Sequence, residues 1–276
     1  IGKREDAYIL ASESCALDAV GAEIVRDVEP GEIVVIDEEG IHSKENSYSS
    51  KKAICIFEYI YFARPDSILD GVSVYHSRYE AGKTLAKEHP VDADVVISVP
   101  DSGTPAAMGY AEASGIPYGI GIIKNKYIGR TFIEPNQRQR EQAVGIKLNP
   151  LRSAIQGKRV VMIDDSIVRG TTSKKIVTAL KDAGAAEVHL RVSSPPIINA
   201  CYFGIDTPEG GQLIGNKLSV EEIGQLIGAD SLGYISLEGV LKTVGELSTG
   251  VCTGCFTGDY PMEVPKDASK HLFEKR

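Results

Sequence analysis

Two adjacent carboxylates, Asp164 and Asp165, stand between an apolar run and a loop rich in hydroxyl side chains. The run Val160–Ile163 is apolar at every position, and the loop continues through Ser166 and Gly170 into a predicted helix. Such a loop presents free backbone N–H groups, hydroxyl donors and the positive end of a helix dipole to an anion. The pattern indicates a phosphate site edged by carboxylates, which suits sugar hydroxyls or Mg²⁺ as further partners.

This loop differs from the phosphate-binding motifs of two large classes of protein. No Gly-Lys-Ser/Thr follows Gly170, as in nucleoside-triphosphate P-loops, and the Gly-x-Gly-x-x-Gly of dinucleotide sites is absent. The alternative is a solvated strand end with a capped helix. A second loop, Pro100–Thr104, also links a buried strand to a helix, although Pro-Asp-Ser-Gly alone is a favourable turn.

Residues 124–152 form the one clearly basic stretch of the chain, with seven basic and two acidic side chains. A long loop inside a compact domain is usually functional or disordered. The alternative interpretation is a solvated basic face.

The five cysteines are an odd number, which argues against a disulfide framework. Cys252 and Cys255 form a C-x-x-C pair, whereas Cys55 and Cys201 stand alone and far away. This set is compatible with half a zinc site, a redox dithiol or buried core thiols.

The elements that position these residues alternate between helix and strand from about residue 77 onwards. Apolar runs that suit a parallel sheet covered on both faces predict a doubly wound α/β domain, with ligands at the carboxyl ends of its strands. The predicted strands are 94–99, 118–123, 159–164 and 187–192, and the predicted helices are 77–88, 104–114, 172–184, 219–228 and 237–247. Upstream, the pattern predicts strands at 7–11 and 32–37, a short helix at 14–20 and a polar connection at 42–52.

Composition bounds the class of protein. The 276 residues are 42% hydrophobic and 25% charged, which is typical of one large or two modest globular domains. The net charge of −8 arises entirely in residues 1–43, and the balanced remainder disfavours a nucleic-acid partner. No apolar run has the length of a membrane span and the start lacks the layout of a secretion signal, so we expect no membrane partner and a cytoplasmic location.

The segment Asp164–Thr172, Asp-Asp-Ser-Ile-Val-Arg-Gly-Thr-Thr, resembles the phosphoribosyl-pyrophosphate (PRPP) motif of type I phosphoribosyltransferases. The residues at these positions are similar to those of the glutamine PRPP amidotransferases, or amidophosphoribosyltransferases. This resemblance extends over almost the whole chain. It implies an α/β type I phosphoribosyltransferase fold, a doubly wound parallel sheet, in residues 44–276. A partial N-terminal-nucleophile hydrolase segment would precede it in residues 1–43.

The resemblance also implies roles for individual residues. Asp164 and Asp165 would face the ribose hydroxyls and Mg²⁺, with Ser102 as a third magnesium contact. The residues that would wrap the 5′-phosphate are Ser166, Ile167, Val168, Arg169, Gly170, Thr171 and Thr172. Those that would hold the pyrophosphate are Ser102, Gly103 and Thr104 and, from a mobile flap, Lys124, Lys126, Tyr127, Arg130 and Thr131.

Some members of this family contain an iron–sulfur cluster, and their cysteine layout is similar to the one in this chain. The resemblance therefore implies a [4Fe–4S] cluster bound by Cys55, Cys201, Cys252 and Cys255. We expect it to be structural, because neither amide hydrolysis nor displacement at a sugar carbon moves electrons. The remaining Cys15 is predicted to be a core residue.

Residues 1–43 resemble the last part of a glutaminase domain, whose nucleophile is a cysteine at the start of the mature chain. This chain starts with Ile1, so a longer protein or a separate glutaminase polypeptide would supply that cysteine. The implied reaction joins ammonia, from glutamine in the complete enzyme, to C1 of PRPP, giving 5-phosphoribosylamine and pyrophosphate for purine synthesis. The resemblance also implies a homotetramer that is inhibited by purine nucleotides. The alternatives are a PRPP-binding regulatory module and a salvage phosphoribosyltransferase.

Overall fold

The computed structural model describes residues 1–44, 52–127, 148–207 and 210–264. Its strands are β1 (Gly2–Arg4), β2 (Ala7–Ile9), β3 (Glu23–Ile24), β4 (Ile33–Asp37), β5 (Gly40–Lys44), β6 (Ile54–Cys55), β7 (Ile68–Leu69), β8 (Val72–Ser73), β9 (Val95–Ser98), β10 (Ile122–Lys124), β11 (Leu148–Pro150), β12 (Arg159–Asp164), β13 (Glu187–Val192), β14 (Ser231–Tyr234) and β15 (Val251–Cys252).

Its α-helices are α1 (Ser14–Ala19), α2 (Val74–Glu88), α3 (Thr104–Ser114), α4 (Arg152–Ile155), α5 (Thr171–Asp182), α6 (Val220–Ile227), α7 (Leu237–Lys242) and α8 (Gly254–Thr257). A π-helix covers Glu58–Phe62, and short 3₁₀ helices cover Gly210–Gln212, Ile214–Asn216 and Gly245–Thr249.

A four-stranded parallel sheet in the order β14-β13-β12-β9 forms the centre of the fold. Its β9 residues are all buried, and along β12 alternate side chains enter two different cores. Val161 and Ile163 pack on the side of α2 and α3, while Val160 and Met162 pack on the side of α5 and α6. Burial on both faces explains the uninterrupted apolar run Val160–Ile163 of β12, whereas β13 alternates polar and apolar residues. Both strands are confirmed at their predicted bounds.

Helices α2 and α3 cross in direct backbone contact. A Cβ atom added to Gly82 would lie 1.8 Å from the carbonyl oxygen of Ala106, and one added to Gly109 would lie 1.9 Å from that of Tyr79. Two glycines therefore permit the crossing. The close fit fixes the helix that follows β9 against the helix that precedes it.

Residues 1–44 form a separate small layer beside this domain. β1 pairs with β2 and β3 in an antiparallel sheet, and β4 and β5 form a hairpin. The prediction of a polar connection from residue 42 is wrong for residues 42–44, because they pair with β4 as the second half of β5.

Two other elements differ from prediction for identifiable reasons. The expected strand 118–123 is shorter, and only Ile122–Lys124 form a strand, paired with β11. Gly121 lies against the Ile97 side chain, where a Cβ would come within 2.6 Å. The expected helix 237–247 ends at Lys242, and Gly245, with φ +57°, turns the chain into a 3₁₀ helix.

Candidate functional site

The acidic doublet lies at the carboxyl end of β12, as predicted. Asp164 and Asp165 are both 7% exposed. Their polar partners are close by: Asp164 Oδ1 accepts the backbone N–H of Asp165 at 3.0 Å, and Asp165 accepts hydroxyl hydrogen bonds from Ser166 at 2.7 Å and from Ser102. Two carboxylates are thus held side by side at the edge of the sheet, with a hydroxyl from each flanking loop directed at one of them.

Burial is costly for this pair of charges. It raises the pKa of the Asp164 carboxyl well above its usual value, and the charge of Asp165 raises it further. Burial also raises the pKa of Asp165, although hydrogen bonds from Ser102 and Ser166 and the positive charge of Arg78 oppose the shift. Two buried carboxylates side by side, both with raised pKa values, favour a cationic or hydrogen-bond-donating ligand.

The loop after β9 reaches the doublet from the neighbouring strand. Val99 N–H donates to the Ile163 carbonyl at 2.8 Å, which aligns the two strand ends. At Gly103 an added Cβ would lie 2.7 Å from the carbonyl oxygen of Ile163, so glycine is required for the loop to approach β12. Ser102 therefore reaches Asp165, whereas the Thr104 hydroxyl points back to Ser98, with 3.1 Å between the two oxygens.

The loop after the doublet has the form expected of an anion site. Among the described residues, no backbone N–H group from Ser166 to Ser173 has an acceptor, and all eight precede the first internal bond of α5. Gly170 has φ +75°, a conformation that favours glycine, and it caps α5. Ile167 is buried, while Thr171 and Thr172 are exposed. Unpaired donors at a helix N-terminus form a cradle for a phosphate group.

A short segment between β13 and α6 supports the cradle from behind. Ile214 N–H donates to the Val168 carbonyl at 3.0 Å, and Arg169 Nη2 donates to the side-chain oxygen of Gln212 at 2.8 Å. Sequence reasoning missed this support, since nothing in 210–216 resembles a motif.

The predicted flap is described only at its start. Lys124, at the end of β10, forms an ion pair with Asp101 of the loop after β9, so this basic residue does lie beside the site. Lys126 is exposed, and Tyr127 is fully exposed. Arg130 and Thr131 lie outside the described residues.

Two buried residues near the doublet were not predicted. Arg78, on α2, is 4% exposed, and its charge acts on Asp165. Tyr234, at the end of β14, is 7% exposed, and burial together with the charge of Asp164 raises the pKa of its hydroxyl. The strand β14 itself escaped prediction because Ser231–Tyr234 is short and includes a glycine. Helix α2 carries charged side chains along its whole length, so no signal in the sequence distinguishes Arg78 as the buried one.

The four cysteines assigned to a cluster come together in space. Cys55 and Cys252 are register partners in the two-stranded parallel sheet of β6 and β15, and the Cys255 carbonyl accepts two backbone N–H groups from 198 and 199, just before Cys201. Burial, with smaller contributions from the neighbouring thiols of Cys201 and Cys252, raises the pKa of Cys55 to about 11 and that of Cys255 to about 12. All four thiols are free, and Cys15 is buried elsewhere, as predicted.

Residues 1–44, 52–127, 148–207 and 210–264 contain neither a preformed site for a single metal ion nor a membrane-spanning helix. No group of three or more His, Cys, Asp or Glu side chains is arranged to hold a metal ion. Within the same ranges, every helix falls short of the length and apolarity needed to cross a bilayer.

Comparisons with known proteins agree with this geometry. Residues 75–194 match the family model of the phosphoribosyl transferase domain. The amidophosphoribosyltransferase of Bacillus subtilis is 55% identical over 271 residues, which are 97% of this chain and 57% of that protein. That of Methanothermobacter thermautotrophicus is 51% identical, over 98% of this chain and 57% of its own length.

A solved structure gives the same result in three dimensions. The glutamine PRPP amidotransferase of B. subtilis, complexed with ADP and GMP, superposes with a TM-score of 0.89 at 54% identity, covering 97% of this chain and 60% of that one. The predicted type I phosphoribosyltransferase fold is thereby confirmed. This chain spans little more than half the length of the relatives that it matches. By its sequence, its parallel sheet and the loops at the carboxyl edge of that sheet, the chain belongs to the amidophosphoribosyltransferase family and contains the phosphoribosyltransferase domain of that family.

Proposed function

We propose that this chain carries the phosphoribosyl-transfer step of an amidophosphoribosyltransferase, in which ammonia displaces pyrophosphate from C1 of PRPP. The observation that supports it most directly is the pairing of a buried acidic doublet with an adjacent cradle of N–H groups that have no acceptor in the described parts of the chain. A phosphorylated sugar can bind to both features, because its phosphate accepts hydrogen bonds from the cradle and its hydroxyls donate to the carboxylates.

The geometry supports one binding role for each part of the site. The 5′-phosphate is placed in the cradle 166–172, whose N–H groups and α5 dipole favour an anion. Asp164 and Asp165 accept hydrogen bonds from the ribose hydroxyls. Ser102 and the backbone at Gly103 lie in the loop after β9, the strand next to β12. We assign the binding of the pyrophosphate on C1 to them. Thr104 contributes through its position at the start of α3 rather than through its hydroxyl, which is directed to Ser98.

The reaction forms one bond and breaks one. The nitrogen of ammonia bonds to C1, the bond from C1 to the pyrophosphate oxygen breaks with its electron pair, and the nitrogen releases a proton to yield 5-phosphoribosylamine. Because negative charge grows on the leaving group, cations placed beside it stabilise the transition state. Lys124 is placed to do so once its ion pair with Asp101 opens, and we assign the same role to Lys126, Tyr127, Arg130 and Thr131.

The oxygen-rich edge of the sheet fits Mg²⁺. The ion is bound in proteins by one or two carboxylates together with substrate phosphates, so a site completed by PRPP needs no third acidic side chain. Asp164, Asp165 and Ser102 would hold it, and the ion would supply neutralisation of the pyrophosphate charge.

The thiol set fits an iron–sulfur cluster. We assign a [4Fe–4S] cluster to Cys55, Cys201, Cys252 and Cys255, which are mutually close, unpaired in disulfides and partly buried. A four-iron cluster is larger than a single ion, so its ligands need not converge on one point. Its contribution would be to tie three distant parts of the chain together, with no part in the transfer chemistry.

Partners of the complete protein are part of the same proposal. The glutamine that supplies ammonia requires a glutaminase, of which residues 1–43 would be the last part. The B. subtilis structure holds ADP and GMP. We propose that purine nucleotides also inhibit this protein, since a nucleotide 5′-phosphate can compete for the cradle. Assembly as a homotetramer and a cytoplasmic location stay predictions.

The test is release of pyrophosphate from PRPP by the 276-residue chain with Mg²⁺, with and without ammonium. We expect release that depends on ammonium and is independent of glutamine. The matched control is the Asp164→Asn, Asp165→Asn variant, which we expect to be slower by at least about a hundredfold, as for loss of key electrostatic groups. Near-normal rates in this variant would contradict the site, and absence of release in the parent chain would contradict the function.

A further inference from the structure

The segment of residues 58–68 connects the N-terminal layer to the phosphoribosyltransferase domain. On one side, Glu13 Oε2 accepts the backbone N–H of Arg64 at 2.8 Å and the hydroxyl of Ser67 at 2.7 Å. Ser14 Oγ accepts the N–H of Ile68 at 2.8 Å. Ser67 is fully buried, so the carboxylate of Glu13 satisfies a hydroxyl that water does not reach.

The same segment sets the start of α2. Val74 N–H donates to the Ser67 carbonyl and Tyr75 N–H donates to the Pro65 carbonyl, both at 3.0 Å. These bonds satisfy two of the N–H groups that a helix leaves unpaired at its first turn. A shift of the segment would therefore move the beginning of α2.

Arg78 follows one turn later on α2 and closes the connection. Its Nε donates to the Tyr59 carbonyl at 2.8 Å, and its Nη2 donates to the carbonyls of Ala63 at 2.8 Å and Glu58 at 3.3 Å. It forms no ion pair in the part of the chain that the structure describes. Among acidic groups, Asp165 has the largest electrostatic effect on this buried cation, followed by Glu13.

We propose that Glu13 is a positioning residue for the PRPP site, acting through the 58–68 segment and Arg78 on the acidic doublet. Hydrogen bonds thus lead from Glu13 through the 58–68 segment to Arg78. The last link, from the buried Arg78 to the doublet, is the attraction between its positive charge and the carboxylate of Asp165. This inference rests on the proposed function, since the coupling is to the PRPP site. It adds a residue outside the phosphoribosyltransferase domain to the determinants of that site.

The experiment is calorimetric titration of the 276-residue chain with PRPP and Mg²⁺, comparing the parent with Glu13→Ala and Glu13→Gln. We expect Glu13→Ala to weaken binding by about fivefold or more, the lower range of coupling between distant sites. Glu13→Gln should restore most of that loss. Both donors reach the same oxygen of Glu13, and the amide oxygen of glutamine can accept from both.

The control is Glu38→Ala, which removes an exposed carboxylate from the turn between β4 and β5 and should leave PRPP affinity unchanged. Thermal unfolding is measured in parallel, because a purely structural role would lower the unfolding temperature of Glu13→Ala without changing its PRPP affinity. If Glu13→Ala does not fold, Ser67→Ala removes one of the two bonds and should weaken binding in the same direction.

The outcomes separate the two claims. A parent chain that binds no PRPP contradicts the proposed function and this inference with it. A parent that binds, with Glu13→Ala or Ser67→Ala binding equally well, overturns the coupling alone. Equal weakening in Glu13→Ala and Glu13→Gln would also overturn it, because the hydrogen bonds would then be irrelevant to the effect.

Discussion

At the scale of single residues, the acidic doublet shows how a binding site opposes stability. Asp164 and Asp165 are almost wholly buried, and the ionised forms are disfavoured there because water is excluded. An acid whose pKa is higher in the folded state than in the unfolded state does not lower the free energy of unfolding at a pH below its unfolded-state pKa, because it is protonated in both states. The penalty develops as pH rises from that value to the folded pKa, and it persists above it.

Replacing Asp164 with Asn should therefore raise stability while it abolishes function. The amide keeps an oxygen to accept the N–H of Asp165, and it removes the buried charge. We expect the unfolding temperature of Asp164→Asn to exceed that of the parent at pH 7, and the difference to shrink as the pH falls towards 4. Calorimetric unfolding at several pH values measures this. A lower unfolding temperature at pH 7 would contradict this expectation, because the ionised carboxylate would then be stabilised by its surroundings.

At the scale of elements, the crossing of α2 and α3 fixes the geometry of the site. Helix α2 carries Arg78 towards the doublet, and α3 begins at the loop that carries Ser102. Their separation is set by Gly82 and Gly109, where backbone meets backbone. Such a contact cannot relax by rotating a side chain, so the helices themselves must move if either glycine is replaced.

We expect Gly82→Ala to destabilise the protein by about 1–3 kcal/mol, the range for overpacked cores, although alanine favours helix more than glycine does. The control is Gly211→Ala, where nothing lies within 4 Å of the added methyl group. Denaturant titration of both variants gives the comparison. A Gly82→Ala variant as stable as the control would mean that the two helices separate freely.

At the scale of the whole molecule, the cysteines join parts of the chain that are far apart in sequence. β6 lies just before the π-helix, Cys201 follows the long strand β13, and Cys252 and Cys255 belong to the last described elements. The short β6 and β15 strands have only two residues each, too few to hold these parts by themselves. A shared cluster would supply the missing stabilisation, as metal binding does when it is linked to folding.

Cys252→Ser should accordingly yield a colourless protein with poor solubility, in contrast to a brown parent. Cys15→Ala is the control. Cys15 is buried in the N-terminal layer, so its replacement should leave the colour unchanged. Iron and sulfide content with visible absorption are the measurements. A colourless Cys252→Ser variant that stays folded, soluble and fully active would exclude a structural cluster at this position.

The sequence alone determined the features that depend on neighbours along the chain. The apolar run of β12 predicted that strand at its observed bounds, and the composition of the loop after Asp165 predicted the cradle, because both follow from local burial and local hydrogen bonding. The tertiary structure decided which distant groups share one site. Three interactions show this: the charge of Arg78 acts on Asp165, Glu13 accepts a hydrogen bond from Ser67, and Gln212 accepts one from Arg169 beside the cradle. None of them produces a periodic pattern in the sequence, because each depends on how separate elements pack.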